Sequence, residues 1–223
     1  MQIVRAIVED DKNLLLRRRP GARGREDVEQ EILELVLGNV VLLSSAALET
    51  ELAFGRLAAE ATTPRRVLVG GLGFGATLRG VLEVPGVAEV VVVEKLDAVI
   101  DVARAEASAL VAGALDDPRV EVVRGDASDV IASAPAGSLD AILLDVDNGP
   151  EWASFRTNAR LYATSALGRA RDALAPGGLY GVWSGYPCDG FLRTLRAAGL
   201  VPRVVPLRER GVVRARAYVG TRS

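Results

Sequence analysis

The stretch Arg66–Gly75, RVLVGGLGFG, decides how the rest of the chain is read. Val67, Leu68 and Val69 form an apolar run without polar alternation, the pattern of a strand buried on both faces of a parallel sheet. The run opens into a glycine-rich turn, where backbone amides can approach a ligand with no side chain in the way. In doubly wound sheets, nucleotide-like ligands bind at such a turn, outside the carboxyl ends of the strands. The spacing also satisfies a loose dinucleotide fingerprint, with Gly71, Gly73 and Ala76 in the three small-residue places. The flanking elements must decide between the two.

Upstream, Ile3–Val8 and Leu14–Arg18 read as a hairpin around the turn EDDKN. Ile32–Leu43 reads as a second hairpin, broken at Gly38 and Asn39, because glycine accepts the positive φ of a primed turn. Residues 1–45 are therefore expected to be a small β appendage, and residues 46–223 a Rossmann-like domain. Ser45 is placed to cap the next helix, with Leu48, Leu52, Gly55 and Ala59 on one stripe and Glu49, Glu51 and Arg56 on another.

Downstream, strands and helices alternate. A helix over Ala76–Leu82 precedes strand Glu89–Val93, and a long helix then presents Val99, Val102, Ala103 and Leu110 at helical spacing. Strands Arg119–Val123, Asp140–Leu144 and Leu179–Trp183 follow, separated by a short helix after Asp126 and another from Thr164 to Leu174. After a helix over Asp189–Ala198, strands Val201–Leu207 and Val212–Val219 are joined by four residues, too few for a crossover, so they pair antiparallel. The expected fold is α/β: a doubly wound, mostly parallel seven-stranded sheet with an antiparallel carboxyl-terminal hairpin. This resembles the class I S-adenosylmethionine-dependent methyltransferase fold rather than a dinucleotide-binding fold of two equivalent halves.

Composition narrows the function classes. A hydrophobic fraction of 49% with 25% charged residues is ordinary globular usage, which sets disorder aside. There is no apolar run of the roughly 20 residues that a membrane helix needs, and no signal-peptide pattern, so a cytoplasmic protein without a membrane partner is expected. The net charge of −2 argues against nucleic acid, and the arginine run Arg17, Arg18, Arg19, Arg23 and Arg25 reads as a solvated face. Cys188 is the sole cysteine and histidine is absent, which excludes an intrachain disulfide and a thiolate zinc site, leaves proton chemistry to carboxylates, Tyr and the two lysines, and gives no expectation of a metal.

Three strand ends carry those carboxylates. Glu94 lies about 20 residues beyond the glycine turn, the separation at which a carboxylate can accept from both ribose hydroxyls. Asp126 precedes Ala127 in RGDAS, where it can cap the following helix. Asp145 ends AILLDVDNGP, and a buried strand ending in a carboxylate calls for a cationic or hydrogen-bonding partner. An amine that must lose a proton to attack an activated carbon would be such a partner. Asp145 and Asp147 can equally cap a helix or pair with arginine.

From Gly38 to Trp183 the order of motifs is similar to that of the spermidine synthase family, the polyamine aminopropyltransferases. The matching segments are GNVVLL, VLVGGLGFG, VVVVEKLDAVIDVAR, DPRVEVVRGDA, LDAILLDVD and RLYATSALGRARDALAPGGL. The resemblance implies S-adenosylmethionine or its decarboxylated form as cofactor, a small-molecule amine substrate and a homodimer. It assigns the cofactor to Gly71, Gly73, Gly75, Glu94, Asp126 and Ala127, with Glu94 on ribose and Asp126 on adenine. Asp145 becomes the acid-base catalyst, and Asp147 and Asn148 lie on the substrate side. Independently of the resemblance, Trp152 and Tyr162 follow strand ends and are expected to line the cleft, offering cation–π contact to the substrate amine. Trp183 and Tyr186 are further aromatic candidates for the cleft. The chain departs from the family at Phe74, where the glycine turn should carry Asp, and at Asn148, where a polyamine-side Asp is expected; the helix near residues 47–58 lacks the family's Gln, acidic pair and Tyr-His. A standard putrescine aminopropyltransferase is therefore not expected. An amine alkyltransferase, by aminopropyl or methyl transfer, is the first reading, and a non-catalytic binding protein with a degenerate pocket is the alternative.

Overall fold

The computed structural model describes residues 1–21, 31–146, 150 and 158–223, without the side chains of residues 158 and 159. Two sheets are present among them. The first is an antiparallel meander of β1 (Gln2–Glu9), β2 (Lys12–Pro20), β3 (Glu31–Leu37) and β4 (Val40–Ser44). Asp10 and Asp11 both take positive φ, 48° and 60°, which is the primed two-residue turn that the twist of a hairpin favours. Gly38 does the same at φ 59° between β3 and β4.

The second sheet has seven strands: β5 (Arg66–Gly70), β6 (Glu89–Glu94), β7 (Val120–Arg124), β8 (Leu139–Leu144), β9 (Leu174–Ser184), β10 (Val201–Glu209) and β11 (Val212–Thr221). Their order is β10-β11-β9-β8-β5-β6-β7. Antiparallel β11 lies between β9 and β10, so β10 runs parallel to the rest and only β11 is reversed. The apolar runs follow from burial on both faces. Val67, Val69, Val90, Val92, Ala141 and Leu143 point to one side, and Leu68, Val93, Ile142 and Leu144 to the other.

The first side is covered by α1 (Leu48–Arg56), α2 (Ala76–Leu82) and α3 (Asp97–Arg104), and the second by α4 (Ala127–Ser133), α5 (Thr164–Ala173) and α6 (Phe191–Ala197). The meander adds Leu14, Leu16, Leu33 and Leu35 to the first of these cores. It also reaches α3 directly. No side chain at the start of α3 caps it, and both carboxylate oxygens of Glu9 accept from its first amides, Asp97 N–H at 2.7 Å and Ala98 N–H at 2.9 Å.

Four local expectations change. Ser45 does not cap α1; its Oγ accepts from Leu33 N–H at 2.9 Å, tying the segment to β3. The buried stripe of α1 is Thr50, Phe54 and Gly55, continued by Ala58 beyond its end, while Ala59 is exposed. The cause is a close helix crossing: a Cβ on Gly55 would stand 2.1 Å from Thr77 O, and one on Gly80 would stand 2.2 Å from Leu52 O. The long helix after β6 ends at Arg104, where Ala107 N–H reaches back five residues to Val102 O, so Val111 is buried in place of Leu110. Finally, part of the arginine run is paired rather than solvated. Arg17 and Arg19 grip the buried Glu34, and Arg23 and Arg25 lie outside the described residues.

Candidate functional site

The strand order reverses beside β5, and there the carboxyl ends of β5, β6, β7 and β8 surround a cavity of about 790 Å³. Its wall includes Gly71, Gly73, Glu94, Lys95, Asp126, Ala127, Asp145 and Trp183. The meander closes the far side with Asp10, Lys12 and the β4 residues Val41–Ser44.

The glycine turn owes its shape to the neighbouring strand end. Gly71 has φ 88°, a conformation that side chains disfavour, and its amide donates to Val93 O at 2.8 Å. Asp145 N–H in turn donates to Gly70 O at 2.7 Å. Gly75, with φ 94°, begins α2 and is not on the cavity wall.

Glu94 is fixed by backbone donors. Its Oε2 accepts from Leu72 N–H at 3.0 Å, inside the glycine turn, and its Oε1 accepts from Lys95 N–H at 2.7 Å and Leu96 N–H at 3.0 Å. Burial raises its pKa despite those three bonds. Asp126 combines capping with ion pairing. Its Oδ1 accepts from Ser128 N–H at 2.8 Å, and its Oδ2 meets Lys95 Nζ and Arg160 Nη2, each at 2.6 Å. Burial pushes this carboxyl up, but the two cations and the amide outweigh it and hold the pKa below the usual value.

Asp145 is enclosed, and burial pushes its pKa up to about 6. One donor opposes this: Thr77 Oγ1, on α2, at 2.6 Å from Oδ2. The second carboxylate at this end of the cavity is Glu51 on α1, which burial and the adjacent Asp145 charge raise well above the ordinary range. Both residues keep partial access through the cavity, although protein surrounds them. Trp183 lies near them, its Nε1–H donating to Thr50 Oγ1 at 3.3 Å.

The arrangement brings the backbone of Gly71 and Gly73, the Glu94 carboxylate and the enclosed Asp145 carboxyl onto one cavity. Comparison with known proteins gives it a family: the profile of the spermine/spermidine synthase domain matches residues 49–187. The chain belongs to the spermine/spermidine synthase family.

A polyamine aminopropyltransferase of Mycobacterium tuberculosis is 38% identical over 143 residues, covering 60% of this chain and 27% of that protein. Putrescine N-methyltransferase 4 of Nicotiana tabacum is 40% identical over 82 residues, 37% of this chain and 21% of that protein. The chain thus spans about a quarter of the length of these relatives. Among solved structures, the spermidine synthase of Thermotoga maritima superposes with a TM-score of 0.78 at 18% identity, covering all of this chain and 73% of that one. That likeness extends the shared fold to the meander and the antiparallel hairpin.

Within this spermidine synthase fold, Gly71, Gly73, Glu94, Asp126, Ala127 and Asp145 come together on one cavity. Tyr162 does not join them: it packs edge-on against Phe191, with ring centroids 5.9 Å apart, and its neighbour Leu161 takes the wall position. Tyr186 is half exposed and off the wall. Phe74, in the position of the family's turn Asp, is buried in the core. Asp147, Asn148 and Trp152 lie outside the described residues. Sequence reasoning missed Glu51, Thr77, Lys95 and Arg160. A signal existed for Lys95, which follows Glu94 directly, and for Thr77, a polar residue in the first turn after the glycines.

Among the described residues no group of acidic, cysteine or histidine side chains suits a metal ion, and no helix is long and apolar enough to cross a membrane.

Proposed function

We propose that this protein is an amine alkyltransferase that binds an adenosyl sulfonium cofactor and activates its acceptor through Asp145. The observation that carries the reading is the enclosed Asp145 carboxyl, with its pKa near 6, one strand away from the Gly71–Gly73 turn. The cavity fits the cofactor by its donor set. Glu94 would accept from the ribose hydroxyls, Asp126 with Ala127 would meet the adenine edge, and the bare backbone at Gly71 and Gly73 leaves room for the thioether arm. When bound, the sulfonium supplies an electrophilic carbon.

The chain's own residues supply the proton chemistry. Asp145 accepts a proton from the acceptor ammonium, and the freed nitrogen lone pair forms the N–C bond as the C–S bond breaks toward sulfur. Thr77 fixes Oδ2 and leaves Oδ1 for that proton.

The transferred group is the finer question. Gly71 and Gly73 present no carboxylate to the cofactor tail, and Phe74 is turned into the core, so the turn offers nothing to hold a decarboxylated tail's ammonium. This, with the similarity to a putrescine N-methyltransferase, supports a reaction other than standard putrescine aminopropyl transfer. The family resemblance supports a homodimer, which light scattering would test.

Calorimetry with S-adenosylmethionine, decarboxylated S-adenosylmethionine and methylthioadenosine tests the cofactor, and the first two separate methyl from aminopropyl transfer. Mass spectrometry over a panel of amines should detect an alkylated product that Asp145→Asn abolishes. Binding without product would support the non-catalytic alternative, and no binding of any adenosyl thioether would overturn both.

A further inference from the structure

Asp145 is not the only carboxyl at its end of the cavity. Glu51 comes from a different element, α1, and is brought there by the Gly55–Gly80 crossing that presses α1 onto α2. Its carboxylate has no hydrogen bond or ion pair among the described residues, and Asp145 has only the Thr77 hydroxyl. None of the cations on the wall makes an ion pair with Glu51 or Asp145 among the described residues. Lys95 pairs with Asp126, Arg124 with Asp97 at 2.8 Å, and Lys12 belongs to β2. Of the other acids on the wall, Glu94 is held by backbone amides, Asp126 pairs with Lys95 and Arg160, and Asp10 belongs to the β1–β2 turn. Two enclosed carboxylates without a cation cannot both stay ionised cheaply, which favours a proton shared by the empty pair. A cation with N–H donors would release it.

We propose that Glu51 is a second acceptor-recognition carboxylate, which together with Asp145 takes the substrate as an alkylammonium ion and gives up the pair's shared proton to solvent as it binds. The inference rests on the transferase reading for its place in catalysis. Transfer from a sulfonium to an ammonium yields a substituted ammonium, a thioether and one proton. Here that proton leaves when the acceptor binds. Asp145 then takes the substrate's proton, the N–C bond forms as the C–S bond breaks, and the pair is back in its one-proton state when product departs. Charge and atoms balance without another reactant.

The test is calorimetric titration of the intact protein with butylamine, 1,4-diaminobutane and methylthioadenosine, in two buffers of different ionisation enthalpy at neutral pH. Wild type should bind at least one amine with release of about one proton per site. Glu51→Gln should weaken that amine by about 10-fold to 100-fold, the loss of one charged hydrogen bond. It should also abolish the proton release and leave methylthioadenosine within about threefold. Should Glu51→Gln fail to fold, Glu51→Asp serves: retracting the charge should weaken the amine while keeping proton release. Unchanged amine affinity in the folded variant, proton release that persists in Glu51→Gln, an equal loss of methylthioadenosine, or no amine binding to wild type would each overturn the proposal. Amine binding with Glu51-dependent proton release in a protein that ignores methylthioadenosine would support it while overturning the transferase reading.

Discussion

A Cβ atom on Gly71 would stand 2.2 Å from the carbonyl oxygen of Asp145. The glycine turn and the end of β8 are therefore in backbone contact, and Gly71 is required both by its φ of 88° and by that approach. Gly71→Ala should lower stability by about 2–4 kcal/mol, from left-handed strain and overpacking together. It should also weaken methylthioadenosine more than tenfold. Denaturant unfolding and calorimetry on the same variant check both.

Asp145 gives the folded state a specific pH response. Its pKa rises from an unfolded value of 3.8 to about 6, so between those values the folded protein binds more protons and stability falls as pH rises. Above the upper value the loss is complete. Asp145→Asn keeps the acceptor for Thr77 and removes the charge. It should be more stable than wild type at pH 8 by about 1–3 kcal/mol, with the gap closing near pH 4. Equal unfolding midpoints at pH 8 would contradict this.

Glu34 should show the opposite sign. Burial raises its pKa, but hydrogen bonds from Arg19 and Arg17, at 2.7 to 2.9 Å, outweigh that and lower it below 4.5. Its stabilisation is present above that value and is lost as pH falls through the lowered one. Glu34→Gln should cost about 1–3 kcal/mol at pH 7, as expected for charged hydrogen bonds, and progressively less in acid. A urea series from pH 3 to pH 7 reads the difference.

The helix crossing admits a sharper substitution. Gly80→Ala places a methyl against Leu52 O and must part α1 from α2. Glu51 moves with α1, whereas Glu94 and Asp126 sit on strand ends that the crossing does not touch. Amine affinity should drop about tenfold or more while methylthioadenosine binding holds, since small displacements near a site weaken it out of proportion.

Much of this was legible in the sequence, for physical reasons that also explain the misses. Strands such as Val90–Val93 and Ile142–Leu144 announce themselves because burial on both faces removes polar alternation. That Gly71, Gly73, Glu94, Asp126 and Asp145 line one cavity was legible because a doubly wound sheet opens its crevice at the carboxyl ends of its strands, whereas Gly75 lies off that wall. Glu51 was not, since helical spacing yields a polar stripe but not what faces it; of Glu49, Glu51 and Arg56 only Glu51 lines the cavity, at the helix crossing that the glycine contact with α2 allows. Tyr162 was misplaced by one position because the turn Asn158–Tyr162 directs Leu161 to the wall and Tyr162 to Phe191. The position of β11 between β9 and β10 was hidden as well, because a hairpin's sequence does not state which of its strands docks first.

Glu9 belongs to the first sheet by sequence and to α3 by hydrogen bonding, across 88 residues of chain. Residues 1–44 are consequently not a freely exchangeable module. A chimera joined to a relative between Ser44 and Leu48 would transplant more than a sheet: it would replace the acceptor for the first amides of α3, two residues beyond the Glu94–Lys95 strand end. Recombination at that seam would have to preserve an acidic residue at the β1–β2 turn, which makes this turn the place where the two halves of the chain are constrained to vary together.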